Sequence, residues 1–115
     1  MGIRIKRIYE NWDKGDGYRI LVDRLWPRGL SKEVAHVDLW FKEIAPSNEL
    51  RKWFHHTDGE WEEFVRRYKK ELNANTEAVK KLKELVHEHK VVTLLYGAKD
   101  TEHNQAIIIR ELVKE

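Results

Sequence analysis

The chain has no cysteine. Disulfides, thiol nucleophiles and zinc-thiolate sites are thereby excluded. Proline occurs twice and glycine six times in 115 residues, and no linker, internal repeat or low-complexity tract stands out. The start lacks an apolar signal segment, and no apolar run approaches membrane-spanning length. These absences read as a cytoplasmic protein with no membrane partner. An excess of one charge is missing too: 22 basic residues face 20 acidic ones, for a formal net charge of +2. That balance argues against non-specific nucleic-acid binding, which wants a strongly basic face. Neither His-Glu-x-x-His, a Walker loop nor Gly-x-Gly-x-x-Gly occurs. His55 and His56, like His87 and His89, diverge on a helix. No metal and no cofactor are expected.

What is present suits one domain over residues 1–115: hydrophobic content of 41% and charged content of 37% describe one core under a charged skin. Ile3 to Lys6 alternates apolar and basic, the period of a half-buried strand. Two glycines and two aspartates in residues 10–17 mark a loop. Tyr18 to Asp23 reads as a second strand inside the sheet, apolar on both faces. Residues 29–36 read as polar and irregular. Residues 37–44 fit a strand or a helix equally. Ser47, after Ala45-Pro46, caps a helix running to about His55. Thr57-Asp58-Gly59-Glu60 matches a capping box. It leads a helix with Trp61, Phe64, Val65, Tyr68 and Leu72 along one side. Ala78, Val79, Leu82, Leu85, Val86 and His89 mark the apolar side of the next helix. Val91 to Tyr96 is the candidate central strand. A last helix turns Ala106, Ile109, Leu112 and Val113 inward. Strands separated by helices imply an α/β layered sandwich: a small mixed or mainly parallel sheet with helices on its faces.

Three stretches carry candidate chemistry. The first is Val22-Asp23-Arg24-Leu25-Trp26-Pro27-Arg28-Gly29. Trp26 to Gly29 fits a type I turn, with proline at its second position. Asp23, Arg24, Trp26 and Arg28 thus sit just past a strand's carboxyl end, where ligands of open α/β sheets settle. Guanidinium groups suit phosphate or carboxylate. The bland reading is an ion pair between Arg24 and an acid, with Trp26 in the core. The second stretch follows the central strand: Tyr96 and Gly97, then Lys99, His103 and Asn104 before the last helix. The helix start and Lys99 would favour an anion, and His103 could move a proton. An ordinary capped helix start is the competing reading. The third stretch is Ser47 with Arg51. Ser47 reads as a cap, since nothing marks a base or an orienting partner for it as a nucleophile.

These same residues carry a resemblance. Asp16-Gly17-Tyr18-Arg19, Val22 to Gly29, Ala45-Pro46-Ser47 with Leu50-Arg51, Thr93 to Tyr96, Ala98-Lys99-Asp100 and Asn104 resemble the YeaO-like proteins, domain of unknown function 488. The match runs nearly end to end. Gly97 and Gln105 stand where slightly different small or polar residues are expected. The resemblance implies a small bacterial or archaeal cytosolic protein and assigns no catalytic residue.

The expectation is a cleft between residues 23–28 and 97–104 that binds an anionic small ligand, phosphorylated ligands included. Arg24 and Arg28 would hold the anion, and Lys99 with the last helix would complete the cradle. Asp23 would orient an arginine or act as a base, and Trp26 or Tyr96 would wall the cleft. Whether the chain is an enzyme, a hydrolase or transferase on that ligand, stays open. Two alternatives stand beside it. A nucleic-acid-binding or regulatory module would gather Arg4, Lys6, Arg7, Arg24, Arg28 and Arg51 on one face. A homodimer would bury Trp12 or Trp53.

Overall fold

The computed structural model describes residues 2–56 and 60–114, with the side chains of 55 and 56 outside the description. Four strands form one parallel sheet: β1 (Gly2–Arg7), β2 (Tyr18–Leu21), β3 (Leu39–Trp40) and β4 (Val91–Tyr96), in the order β1-β4-β2-β3. β4 pairs with β1 from Gly2↔Val91 to Arg7↔Tyr96, and with β2 from Tyr18↔Val92 to Leu21↔Leu95. Among the described residues the α-helices are α1 (Lys32–Ala35), α2 (Asn48–His56), α3 (Trp61–Ala74), α4 (Thr76–Glu88) and α5 (Gln105–Lys114). The chain is therefore α/β, and its sheet is wholly parallel.

Side-chain alternation assigns the two faces of the sheet. Ile20, Val22, Val92, Leu94 and Tyr96 join the main core. Against them pack Phe64, Tyr68 and Leu72 from α3, Leu82 and Val86 from α4, and Ala106, Ile108 and Ile109 from α5. Leu21 and Leu95 face the other way, into a smaller cluster with Ile8 and Ala35 that is flanked by Trp26, Leu30, Val37 and Trp40. The connection after β2 thus crosses one face, and the helix after β4 packs on the other. Where neighbouring parallel strands send their connections to opposite faces, a crevice opens at their carboxyl ends.

Toward the amino ends, the smaller face is polar. Asp16 is 4% exposed and Arg19 only 1%. The Arg19 guanidinium donates to the Asp16 carboxylate at 2.5 Å and to the carbonyls of Ala35 and His36. Lys6 donates to Asp16 from β1 at 3.0 Å, and the Thr93 hydroxyl donates to the Asp16 carbonyl at 2.7 Å. Desolvation alone would raise the Asp16 carboxyl, but Lys6, the Asp13 contact and Arg19 together hold it below its ordinary value. A buried charge persists only with such partners.

Several local expectations change. The loop at 10–17 contains a 3-10 turn at Lys14–Asp16, with Asp13 and Asp16 forming a capping box. Residues 29–36 are partly helical: Ser31 caps the single-turn α1 by accepting from the Val34 amide. Residues 37–44 are neither one strand nor one helix; the short β3 runs into a 3-10 turn at Lys42–Ile44. Ser47 does cap α2, its hydroxyl accepting from the Leu50 amide at 3.1 Å. The capping box before α3 is not met at Glu60, which is extended and is itself the N-cap residue; Thr57, Asp58 and Gly59 lie outside the described residues. His89 falls past the end of α4 and stacks on Tyr18 at 4.0 Å between ring centroids.

One glycine fixes the entry to β2. Gly17 has φ 67° and ψ −136°, and a Cβ there would lie 2.2 Å from the Val91 carbonyl oxygen. Gly29 also has positive φ, 79°, but its Cβ would meet nothing within 4 Å. Gly17→Ala is therefore expected to cost more than about 3 kcal/mol, because backbone strain and a backbone clash combine. Gly29→Ala should cost only about 1–2 kcal/mol, from backbone conformation alone. Urea unfolding of the two variants checks the difference.

Candidate functional site

The carboxyl ends of β2 and β4 open into a cavity of about 280 Å³. Three segments wall it: residues 23–28 after β2, Pro46 with Arg51 and Phe54 of α2, and Gly97, Ala98, His103, Asn104 and Gln105 from the end of β4 to the start of α5. Phe64 from α3 and Tyr9 from the exit of β1 close it.

Asp23 sits where the segments meet. One carboxylate oxygen accepts the Gly97 amide at 2.8 Å, and the other accepts the side-chain amide of Gln105. The Gln105 amide also reaches the Val22 carbonyl at 3.3 Å. The Asp23 carbonyl in turn accepts the Trp40 indole N–H at 2.7 Å. Burial pushes the Asp23 carboxyl up to about 6, although the Gly97 amide, the Gln105 amide and the Arg51 charge all favour its ionised form. Arg7 fixes the opposite lip, donating to the Ala98 carbonyl at 2.8 Å and the Gly97 carbonyl at 3.4 Å.

The guanidinium groups differ in what they already hold. Arg24 donates through Nε to the Pro46 carbonyl at 2.9 Å and through Nη2 to the Ala45 carbonyl at 3.1 Å. It ties the β2 exit to the approach of α2, pairing with backbone rather than with an acid. Arg28 is exposed and borders the cavity; its own carbonyl accepts the Tyr9 hydroxyl at 2.9 Å. Arg51 reaches the cavity from the first turn of α2, and its Nε is buried without a hydrogen-bond partner among the described residues. On the rim, the His103 ring Nδ1 lies 2.9 Å from an Asp100 carboxylate oxygen, and the ring meets the edge of Trp61. The Glu102 amide foremost, then the His103 ring, hold Asp100 below the usual carboxylate range.

Of the ten residues singled out in the sequence, Asp23, Arg24, Trp26 and Arg28 line this cavity, as do Arg51, His103 and Asn104. Ser47, Tyr96 and Lys99 do not. The Ser47 hydroxyl donates to Glu71 at 2.6 Å and its amide donates to the same carboxylate at 2.9 Å, at a separate surface groove. Tyr96 is buried in the main core. Lys99 is exposed. The ammonium expected from the 97–104 segment is thus replaced by the Arg51 guanidinium from α2. Asn104 serves α5, its side-chain oxygen accepting the Ile107 amide at 3.3 Å. Trp26 donates to the Leu30 carbonyl at 2.8 Å and meets Trp40 edge-on. The turn here is also one residue later than expected. It centres on Arg28-Gly29, with Gly29 at the positive φ that the third position of a type II turn requires.

Sequence reasoning placed Gly97 in the second candidate stretch but named neither it nor Gln105 as a ligand-binding residue, and noted both as departures from the resemblance. They are the two donors to Asp23. Phe64 reads in sequence as a core stripe residue, and Phe54 and Tyr9 carry no signal, because only the assembled sheet brings them to this crevice. Gly97 has a steric reason to be glycine: a Cβ there would lie 2.8 Å from the Asp23 carboxylate oxygen.

The fold and site define a small α/β protein with a positively lined crevice at the carboxyl ends of two neighbouring parallel strands. Comparison with known proteins supplies its kin. The family described as "Inactive DUF488-N3 subclade" matches residues 2–115, and the chain belongs to this YeaO-like, DUF488 family. It is 42% identical to the uncharacterized protein YeaO of Escherichia coli over 114 residues, covering 99% of this chain and 98% of that one. It is 38% identical to the uncharacterized protein Rv3073c of Mycobacterium tuberculosis over 111 residues, covering 96% and 92%. No solved structure matches. Among the described residues no helix is long and apolar enough to cross a membrane, and no three His, Asp or Glu residues group as metal ligands.

Gly97→Ala is expected to displace the Asp23 carboxylate and break the 2.8 Å bond, at a cost of about 1–3 kcal/mol for a buried acceptor left unsatisfied. Denaturant unfolding measures the loss. An unchanged midpoint would show that the Asp23–Gly97 contact does not hold the two strand ends together.

Proposed function

We propose that the crevice binds a small anionic ligand, and that the protein acts as a binding module rather than an enzyme. One observation carries the reading: Arg24, Arg28 and Arg51 line one cavity in which Asp23 is the single carboxylate among the described residues. The Arg51 Nε has no hydrogen-bond partner among the described residues, as is also true of Arg110 in α5, so no acceptor of the chain fixes it there as two carbonyls fix Arg24. Phe54, Phe64, Leu25 and Pro27 supply apolar wall beside the guanidinium groups. That combination suits a flat or compact apolar body with an anionic head. Arg51 and Arg28 are the groups placed to take the head. Arg24, committed to two carbonyls, positions them.

A binding role fits the remaining features. The matched subclade is described as inactive. The chain has no cysteine, and the Ser47 hydroxyl is engaged by Glu71 away from the cavity. A nucleic-acid surface finds less support. Arg4, Lys6, Arg7 and Arg24 each donate to carbonyl or carboxylate oxygens within the chain instead of standing free on one face. For a homodimer, Trp12 is half exposed, stacked on His36, whereas Trp53 is only partly exposed, with Arg67 over its ring at 4.1 Å.

Benzoate and sulfate, each at tens of millimolar, should raise the melting temperature of the wild-type protein, since a ligand that binds only the folded state stabilises it by mass action. Arg51→Gln should weaken benzoate binding about tenfold or more, the loss of one charge-assisted hydrogen bond, and should itself remain folded. Arg24→Gln should lower the melting temperature without ligand. Binding that is indifferent to Arg51 would overturn the assignment.

A further inference from the structure

We propose that the crevice takes up its anion together with a proton, carried by Asp23. This deepens the anion-binding reading and rests on it. The argument begins with what shares the cavity. Asp23 and Arg51 line the same small space, and Arg51 is the charge that favours ionised Asp23. An anion seated on Arg51 would place a second negative charge beside the carboxylate. Two like charges in a poorly hydrated site do not both stay ionised: one takes a proton. A ligand whose charge is fixed near neutral pH cannot take it, so the proton falls to Asp23.

Asp23 is built to accept that proton. Its carboxylate accepts from two neutral donors, the Gly97 amide and the Gln105 side chain, and no cation contacts it within hydrogen-bonding distance among the described residues. Its carboxyl already rests at about 6, close enough to neutral pH that protonation is inexpensive. Once protonated, the carboxyl O–H can itself donate to the incoming anion. The proton comes from solvent and binds a carboxylate oxygen; no covalent bond in the ligand changes.

The other charged and titratable groups around Asp23 are few enough to separate. Arg24 and Arg28 lie on its own segment, and Arg51 comes from α2. His103 stands on the rim from the segment before α5, and Tyr9 follows β1. Tyr68 of α3 is buried behind the wall, pushed well above its ordinary value by desolvation and then by Glu71, with Asp23 adding to the effect. His103 is the imidazole among these groups, and the test separates it from Asp23 by substitution.

The test is calorimetric titration of the intact protein with benzoate, whose charge is constant across the range, from about pH 6 to pH 8. Affinity should fall about tenfold per pH unit above the Asp23 midpoint. Titrations at about pH 7 in buffers of different ionisation enthalpy should report uptake of close to one proton per benzoate. Asp23→Asn should flatten the pH dependence and abolish proton uptake while binding at alkaline pH tightens. His103→Gln should keep both. Benzoate binding with no proton uptake by the wild-type protein would overturn the coupling and leave the anion site standing. Uptake that survives in Asp23→Asn and disappears in His103→Gln would overturn the assignment to Asp23. No benzoate binding at any pH would instead overturn the reading of the cleft itself. The wild-type buffer series decides the matter even if Asp23→Asn fails to fold.

Discussion

The hydrogen bond from the Gly97 amide to the Asp23 carboxylate joins the exits of β2 and β4. It is the contact on which the crevice depends. Both strands end at the same edge because the sheet is parallel, and the chain leaves them toward opposite faces. Without a tie, that divergence would leave a backbone amide and a carboxylate facing each other unsatisfied. With it, the 23–28 segment is held in register with the 97–105 segment. Gln105 adds a second strap from the first turn of α5, and Arg7 a third through the Ala98 carbonyl.

The two ends of the sheet solve opposite problems. At the amino ends, Asp16 is surrounded by cations and a fixed backbone, and its carboxyl stays low. That cluster is closed: its polar groups answer one another, as stable burial of charge requires. At the carboxyl ends, Asp23 is held by neutral donors, its carboxyl stands high, and Arg51 keeps a donor unanswered among the described residues. Similar residue types are thus spent on structure at one end and left unsatisfied at the other.

Much of this was legible in the sequence, and the misses have physical causes. Long amphipathic stretches such as Trp61 to Leu72 read correctly because a 3.6-residue period sustained over three turns has few alternatives. Val91 to Tyr96 read as the central strand because it is apolar on both faces. Residues 37–44 did not resolve, since a two-residue strand followed by one 3-10 turn is too short to carry a period. At the site, the 23–28 and 97–104 segments were visible from their turn residues and charges. Arg51 was singled out beside Ser47 as a basic residue at a helix start, but nothing local indicates that α2 brings it to the same crevice as residues 23–28. Lys99 was placed there on charge alone, and an exposed lysine is held more cheaply in water. Local pattern sees charge and period. It does not see which of three distant segments a parallel sheet will bring together.

The contrast between Arg24 and Arg51 bears on why the crevice stays open. If the arginines served stability alone, each would be expected to resemble Arg24, whose donors meet two carbonyls and pin the loop ahead of α2. Arg51 satisfies no such demand at Nε, and an apolar residue at its place, beside Phe54 and Phe64, would pack without leaving a donor stranded. Arg51 instead lines the cavity that Arg28 also borders, where an anion would meet the charge of both. The adjacent carboxyl, poised near neutrality, limits what can bind there. A cation would be repelled by three arginines and a neutral apolar body would leave Arg51 unanswered, whereas an anion answers Arg51 and, by returning Asp23 to its neutral form, removes the one charge that would oppose it.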